Sequence, residues 1–253
     1  MDYDKLLNLS VELGCSLMFS GAEIYRVEES VQRLLQAYGL EQPEVFAIPN
    51  CVIVSITTPA GHPITRMRRI AGHGTDIELL ERCNQLCRQL CAQRPPVEEA
   101  QSMLKEVVDT TPRHASWQKL FGYGIAPAFF APLFGGNVLD TLGAFIGGLV
   151  VGACLLYGGK LIGSNSFFRT VVCSTVASLV SLTLVRIGLG SSVDMVTIGV
   201  LMVLVPGVAL TNAMREIMAG DIISGLSRAA ESILTASAIA IGTAVGLAIV
   251  GMV

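Results

Sequence analysis

Residues 232–253 read SILTASAIAIGTAVGLAIVGMV, a run of 22 residues without a charged side chain. As an α-helix this run is about 33 Å long, which matches the hydrocarbon thickness of a lipid bilayer. Four other apolar segments precede it. The predicted membrane spans lie at about 118–136, 139–158, 169–187, 194–212 and 231–252. The sequence therefore predicts a membrane protein whose second half is an α-helical bundle of about five transmembrane helices.

The charged residues divide the chain into two parts. Charged side chains make up 15% of the sequence, against about 25% in a typical soluble domain. Residues 1–119 hold 15 acidic and 12 basic side chains, whereas residues 120–253 hold five of each. We expect a small α+β domain at 1–115, followed by a transmembrane helical domain at 116–253. The net charge of −3 without a basic stripe excludes nucleic acid as an expected partner.

Charges near the predicted span ends indicate an orientation. Acidic and basic residues interrupt the first twenty positions, so no export signal is predicted and the N-terminus is expected to be cytoplasmic. In that orientation the inner loops hold Lys119, Lys160, Arg169, Arg215 and Arg228, whereas the outer loops hold only Arg186. This distribution satisfies the positive-inside rule. It predicts a multi-pass protein of the inner or plasma membrane, with the C-terminus outside.

The first 115 residues show the patterns of helices and strands. Helical periodicity predicts helices over 2–19 and 21–39, β-rich segments follow within 44–57 and 64–70, and two further helices run from 75 to 94 and from 97 to 108. Capping-box patterns, Ser20 with Glu23 and Thr75 with Glu78, mark two of the helix starts. We expect this cytoplasmic α+β domain to gate or dimerise the membrane part, so an oligomer is expected.

Cys83, Cys87 and Cys91 recur every four residues and so share one helix face. A metal site needs a second cluster of ligands at comparable spacing, and the sequence has none, so no metal or cofactor is expected. Buried thiols that act as small hydrophobic groups are the favoured interpretation. The seven cysteines are an odd number, which is not typical of a disulfide framework.

Other polar residues in the first half leave alternative functions open. His62 or His73 with Asp76 would serve a membrane-anchored hydrolase, but no nucleophile motif accompanies them. Arg66, Arg68 and Arg69 form a small basic patch, for which a solvated strand edge is favoured over an anionic lipid or ligand. Besides a transporter and a hydrolase, a third class of function stays open, namely a regulatory scaffold that transports nothing and that the predicted spans anchor in the membrane.

Glycines repeat at four-residue spacing in two of the predicted spans. The pairs are Gly143 with Gly147, Gly148 with Gly152, and Gly242 with Gly246. Such pairs let helices approach closely, so tight packing within the bundle is predicted.

The stretch 204–231, LVPGVALTNAMREIMAGDIISGLSRAAE, combines a helix break with many polar groups. Pro206 and Gly207 predict a broken or kinked helix, and such breaks often mark the binding sites of transporters. The polar residues that follow are Thr211, Asn212, Arg215, Glu216, Asp221, Ser224, Arg228 and Glu231. Charges near hydrocarbon are costly unless they are paired or hydrated, so these residues are candidates for a transport path. A cytoplasmic amphipathic connector is the alternative.

Parts of this stretch resemble the threonine/serine exporter family of membrane transporters. The resemblance rests on PGVALTNAMRE at 206–216, AGD at 219–221, Ser224-Gly225, Arg228 and Glu231, together with GAE at 21–23 and RVE at 26–28. It implies a secondary exporter of small hydroxylated amino acids, or of small dicarboxylates such as succinate in related members. Some members carry a second, smaller membrane unit that others encode separately, so the resemblance also implies a smaller membrane subunit as partner.

The polar residues fit the chemistry of such a cargo. A zwitterionic amino acid needs a cation for its carboxylate and an anion for its ammonium group. Arg215 or Arg228 would supply the first, and Asp221 or Glu216 the second. Thr211 or Asn212 would bind a side-chain hydroxyl. Since no phosphate-binding loop is present, an ion or proton gradient is the expected energy source.

Overall fold

The computed structural model describes residues 2–70, 72, 74–112, 114–158 and 165–251. Its contacts group the chain into two compact units: Met1–Arg113 with Leu210–Ala229, and His114–Ala209 with Ala230–Val253. The first unit thus includes residues 210–229, which the sequence analysis placed in the transmembrane domain.

The first unit has an α+β architecture. Its elements are α1 (Tyr3–Phe19), α2 (Ile24–Ala37), β1 (Glu44–Ile48), β2 (Cys51–Thr57), β3 (Pro63–Arg69), α3 (Ile77–Gln93) and α4 (Val97–Thr110). The three strands form an antiparallel sheet in the order β1-β2-β3. In β2, alternate residues Val52, Val54 and Ile56 are buried, as expected for a strand with one face on the core.

The face of α3 that carries Cys83, Cys87 and Cys91 packs against the hydrophobic core of the first unit. Cys83 and Cys87 are buried within it, and the half-buried Cys91 packs against it. Burial raises the pKa of the Cys83 thiol to about 11 and that of Cys87 to about 12. The prediction of buried thiols is therefore confirmed for Cys83 and Cys87.

Both predicted capping boxes are wrong. Ser20 ends α1, where the Gly21 amide bonds to the Met18 carbonyl and the Ala22 amide to the Leu17 carbonyl. Gly21 has a φ of +99°, so these bonds form the left-handed helix ending called a Schellman motif. Because this ending occupies residues 20–22, the next helix begins only at Ile24.

The start of α3 is displaced by one residue from the prediction. Asp76, rather than Thr75, is its N-cap, and the Asp76 carboxylate accepts a hydrogen bond of 3.0 Å from the Leu79 amide. Aspartate is among the strongest N-cap residues, since its oxygen pairs with one of the amides left free at a helix start.

The second unit contains α5 (Ser116–Leu133), α6 (Val138–Tyr157), α7 (Ser166–Arg186) and α8 (Val193–Leu201). Helices α9 (Gly207–Ala219) and α10 (Ile222–Gly251) each contribute residues to both units. Within the described ranges, three helices are long and apolar enough to cross a membrane: Val138–Tyr157, Ser166–Arg186 and Ile222–Ile249. The count of five spans stays a prediction.

The region of the fourth predicted span is two helices and not one. Helix α8 ends at Leu201, and α9 begins at Gly207. Pro206 lies in the intervening segment, as expected for a residue that lacks an amide donor. The break predicted at Pro206 and Gly207 is confirmed.

Small residues let the helices of the second unit approach closely. A Cβ atom added to Gly148 would collide with the Tyr123 carbonyl, and one at Gly242 would collide with Ser174 and the Val171 carbonyl. The Thr175 hydroxyl also donates to the Gly242 carbonyl at 2.9 Å. The predicted role of these glycines in close packing is confirmed.

Asp140 connects the start of α6 to the turn before α8. Its carboxylate accepts hydrogen bonds from the amides of Ser191 (2.6 Å), Ser192 (2.8 Å) and Asn137 (3.0 Å). Asn137 is the N-cap of α6, and Asn137 and Asp140 form a reciprocal capping box. The buried carboxylate is therefore satisfied by backbone donors from two elements.

Candidate functional site

Two distant parts of the sequence meet in one charged cluster within the first unit. We call it the arginine–glutamate cluster, and its members are Glu23, Arg26, Arg215, Glu216 and Arg228. The ion pairs are Arg215 Nη1 to Glu23 Oε1 at 2.9 Å, Arg26 Nε to Glu23 Oε2 at 3.2 Å, and Arg228 Nε to Glu216 Oε1 at 3.3 Å. The cluster thus joins the segment before α2 to α9 and to the first turns of α10.

Glu216 supplies a cap that α2 lacks locally. Glu23 occupies the N-cap position of α2 but makes no side-chain cap, because its carboxylate binds the two arginines. The amide of Ile24 instead donates to Glu216 Oε1 at 3.3 Å. A negative charge is favourable there because a helix start carries free amides and a partial positive charge.

The Glu216 side chain is fully buried. Its Oε1 atom is shared between the Ile24 amide and Arg228, whereas no described residue donates a hydrogen bond to its buried Oε2 atom. Burial raises the pKa of Glu216, and Arg228 and the Ile24 amide oppose that rise. A buried carboxylate oxygen that accepts no hydrogen bond costs desolvation free energy. This cost disfavours the charged form of Glu216.

Arg228 is the most enclosed cation of the cluster, since its side chain is only 13% exposed. Its Nη2 atom also donates to the Ala22 carbonyl at 3.2 Å. Arg215 and Arg26 are each 58% exposed, although the Glu23 carboxylate between them is only 9% exposed. The cluster therefore has an inner ion pair, Arg228 with Glu216, and an outer group open to solvent.

The other predicted site residues lie at different places. Asp221 is half-buried in the turn between α9 and α10, where its amide donates to the Glu216 carbonyl at 2.9 Å. Ser224 is buried in the same unit, Asn212 is half-buried and Thr211 is exposed. Pro206, Gly207 and Glu231 belong to the second unit. The structure thus brings Arg215, Glu216 and Arg228 together and places Asp221 beside them.

Sequence reasoning did not place Glu23 and Arg26 in the site. These residues are separated from Arg215 by about 190 positions, and no local periodicity links such distant segments. The signal that was available is the pair of short motifs behind the family resemblance, at 21–28 and 206–216. The structure shows that these two motifs contact one another directly.

Two residues of the hydrolase alternative, His62 and Asp76, lie within the described part of the chain. His62 is exposed in the turn before β3, and its amide donates to the Thr58 hydroxyl. Asp76 caps α3. His73, like Lys160, lies outside the described residues.

The basic patch on β3 pairs with α1. Arg66 contacts Asp4 and Asn8, and Arg68 contacts Glu12. These pairs are largely exposed, which agrees with the solvated strand edge favoured from the sequence.

Comparison with known proteins assigns the chain to a class of membrane transporters. The family model described as "Putative threonine/serine exporter" (ThrE) matches residues 8–250, nearly the whole chain. This protein belongs to the threonine/serine exporter family. The family resemblance identified from the sequence is confirmed.

Individual relatives are distant but align along almost the whole chain. The threonine/serine exporter of Corynebacterium glutamicum is 24% identical over 249 residues, which is 96% of this chain and 50% of that protein. The "Probable threonine/serine exporter" of Mycobacterium tuberculosis is 25% identical over 247 residues, 96% of this chain and 46% of that protein. This chain therefore spans about half the length of these two relatives.

A third relative has a similar length. The "Probable succinate transporter subunit YjjP" of Klebsiella aerogenes is 24% identical over 251 residues, which cover 96% of this chain and 93% of that protein. No solved structure matches this chain.

Proposed function

We propose that this protein is a component of a secondary exporter that moves small hydroxylated amino acids, such as threonine and serine, out of the cell. The family match over residues 8–250 carries the proposal, because it includes both segments that form the arginine–glutamate cluster. The names of two relatives support the substrate class. An ion or proton gradient is the proposed energy source.

The cluster offers the charges that a zwitterion requires. Arg215 is 58% exposed, so a cargo carboxylate can reach it in place of Glu23. Asp221, or Glu216 once its neighbours move to uncover it, would bind the cargo ammonium, and Thr211 or Asn212 would bind its hydroxyl. The proposed transport path also includes the break at Pro206 and Gly207 and the polar side chains of Ser224 and Glu231.

The proposed exporter includes a smaller membrane subunit. Two exporters in this family are about twice as long as this chain, and a relative of similar length is named as a subunit. We further propose a multi-pass arrangement in the plasma or inner membrane, a cytoplasmic N-terminus and an oligomeric assembly.

Export of a small dicarboxylate such as succinate is the second candidate. The observation in its favour is the relative named as a succinate transporter subunit, because that protein and this chain cover one another almost fully. A dicarboxylate needs two cations, and Arg26 and Arg215 lie on either side of Glu23.

Efflux from substrate-loaded vesicles tests these functions. Vesicles would carry the full chain, with and without a candidate smaller membrane subunit of the same exporter family, and would be loaded with labelled threonine, serine or succinate. The proposal expects threonine and serine efflux only when both chains are present. Efflux of succinate alone would favour the dicarboxylate candidate. Absence of efflux for all three would contradict transport and leave the anchored hydrolase or scaffold.

A further inference from the structure

We propose that the groove between α2 and α3 is a regulatory site for a small soluble polyanion, and that an anion bound there draws Arg26 away from Glu23. We call this space the α2–α3 groove, and its charged lining residues are Arg26, Glu29 and Arg33 of α2 and Arg88 of α3. The inference rests on the proposed export function and adds a means of regulating the arginine–glutamate cluster.

Two helices that are bonded side by side form the groove. The Cys87 thiol of α3 donates to the Ser30 carbonyl of α2 at 3.5 Å, and both residues line the groove. Its volume of about 940 Å³ lies in the range of small-molecule pockets. The side-chain amides of the half-buried Asn84 and the exposed Gln36 add hydrogen-bond donors to the lining. The groove therefore has the size and the polar groups that a small ligand requires.

The lining of the groove carries an excess of positive charge. Among the described residues that line it, three arginines stand against one glutamate, which gives a net charge of +2. Arg33 pairs with Glu29 on the same helix, but these side chains are 69% and 53% exposed, and such an exposed pair contributes little. Arg88 is exposed on the facing helix. An added anion can therefore reach cations on both sides of the groove.

The chemistry of these side chains selects the class of ligand. A planar guanidinium binds two oxygens of a phosphate or carboxylate group at once. Cations on two facing helices suit a ligand that has more than one anionic group. The ammonium of threonine or serine would be repelled by the net positive charge. The groove thus favours a small polyanion, such as a phosphorylated metabolite or a tricarboxylate, over the proposed amino-acid cargo.

Arg26 connects the groove to the arginine–glutamate cluster. It lines the groove, and its Nε atom lies 3.2 Å from Glu23 Oε2. The Glu23 carboxylate is only 9% exposed and is shared between Arg26 and Arg215. An anion in the groove competes with Glu23 for Arg26, so Glu23 pairs more strongly with Arg215. Arg215 is then less available to the cargo carboxylate, and the bound polyanion inhibits export.

Titration calorimetry tests the site without transport. The full chain in nanodiscs of neutral lipid would be titrated with inorganic pyrophosphate as the probe. The wild type is expected to bind it saturably, and more weakly as salt is added, since the arginines are exposed. Arg88→Gln should lower the affinity by about tenfold, because one hydrogen bond between charged groups is lost.

The matched control is Arg69→Gln, which removes the same charge from an exposed position on β3 outside the groove. It should bind pyrophosphate as the wild type does. Equal affinity of Arg88→Gln and the wild type, or no binding to the wild type, would overturn the site. Native mass spectrometry adds a second criterion, because an anionic phospholipid that stays bound to the wild type but not to Arg88→Gln would assign the groove to a lipid headgroup and overturn the soluble ligand.

Threonine efflux tests the regulatory role. Vesicles with the full chain and a candidate smaller subunit would be assayed with pyrophosphate on both faces. The wild type should slow several-fold, whereas Arg88→Gln should keep its basal efflux at the same concentration, because its affinity is lower. Equal inhibition of both proteins would overturn the regulatory role.

The two measurements separate this proposal from the export function. If binding depends on Arg88 but no cargo leaves the vesicles, the anion site stands and the export function falls. If threonine is exported but pyrophosphate does not bind, the export function stands and the anion site is overturned.

Discussion

Single residues decide the energetics of the arginine–glutamate cluster. The inner pair is enclosed, because Glu216 is fully buried and the Arg228 side chain is 13% exposed. The arginines on Glu23 are more than half exposed and are screened by water. Removal of one partner from a buried pair leaves an uncompensated charge, whereas exposed pairs contribute little.

Arg228→Ala should therefore lower the stability of the first unit by about 3–5 kcal/mol at neutral pH. Arg228→Ala combined with Glu216→Gln should recover part of that loss, because the stranded charge is gone. Thermal or denaturant unfolding of both variants in detergent would measure the difference. An equal loss in the single and double variants would contradict this account.

The pH dependence of stability follows from the sign of the shift at Glu216. Because its pKa is raised in the folded protein, Glu216 contributes stability that is fully present below the usual carboxyl pKa and is lost as pH rises through the raised value. The deficit of Arg228→Ala should accordingly shrink as the pH is lowered. Unfolding midpoints measured from neutral pH down to the usual carboxyl pKa would reveal the trend, with Glu106→Gln, which changes an exposed glutamate of the same unit, as reference.

At the scale of elements, close helix contacts hold the second unit together. Gly242 in α10 lies against the Val171 carbonyl of α7, so no side chain fits between the two backbones. Such contacts provide packing and hydrogen bonds where the hydrophobic effect between helices is absent.

Gly242→Val should separate α7 from α10 and reduce the stability of the second unit. The matched control is Gly122→Ala in α5, where an added Cβ meets no atom within 4 Å. That control should be neutral or stabilising by up to about 1 kcal/mol, since alanine is the better helix former. Unfolding in lipid nanodiscs compares the two variants, and a stable Gly242→Val protein would refute the packing argument.

Much of the local structure was predictable, because it depends on neighbouring residues. The periodicity of α1 and α2, the alternation of β2 and the break at Pro206 all follow from short-range rules. The two helix starts were misplaced for a local reason, namely that the α1 ending extends to Ala22 and that Asp76 caps better than Thr75.

The assembly of the site was not predictable from those rules. The sequence identified Arg215, Glu216 and Arg228 as candidates, but it did not indicate that Glu23 and the Ile24 amide are their partners. Pairing between such distant segments is set by tertiary contacts, which leave no periodic signal in one sequence. The residues of the site were therefore partly predictable, and its geometry was not.

At the scale of the whole molecule, the ion pair of Glu23 with Arg215 joins two segments that lie 192 positions apart in the sequence. Contacts with residues 210–229 thus complete the first unit. The stability of the N-terminal segment depends on residues that follow α5 to α8 in the sequence.

A charge exchange tests this long-range pairing. Glu23→Arg and Arg215→Glu should each destabilise the full chain, and the double variant should recover a coupling energy of about 0.5–1 kcal/mol. A double-mutant cycle on unfolding free energies measures the coupling. Strict additivity would show that the two side chains do not interact.

The buried thiols of α3 provide an intrinsic probe of opening. Thiolates, rather than thiols, attack alkylating reagents, and the raised pKa values of Cys83 and Cys87, about 11 and about 12, keep both protonated near neutral pH. Their labelling thus requires that the surrounding core expose them. Mass spectrometry of alkylation at these two native cysteines would follow opening of the first unit during turnover, without an engineered cysteine.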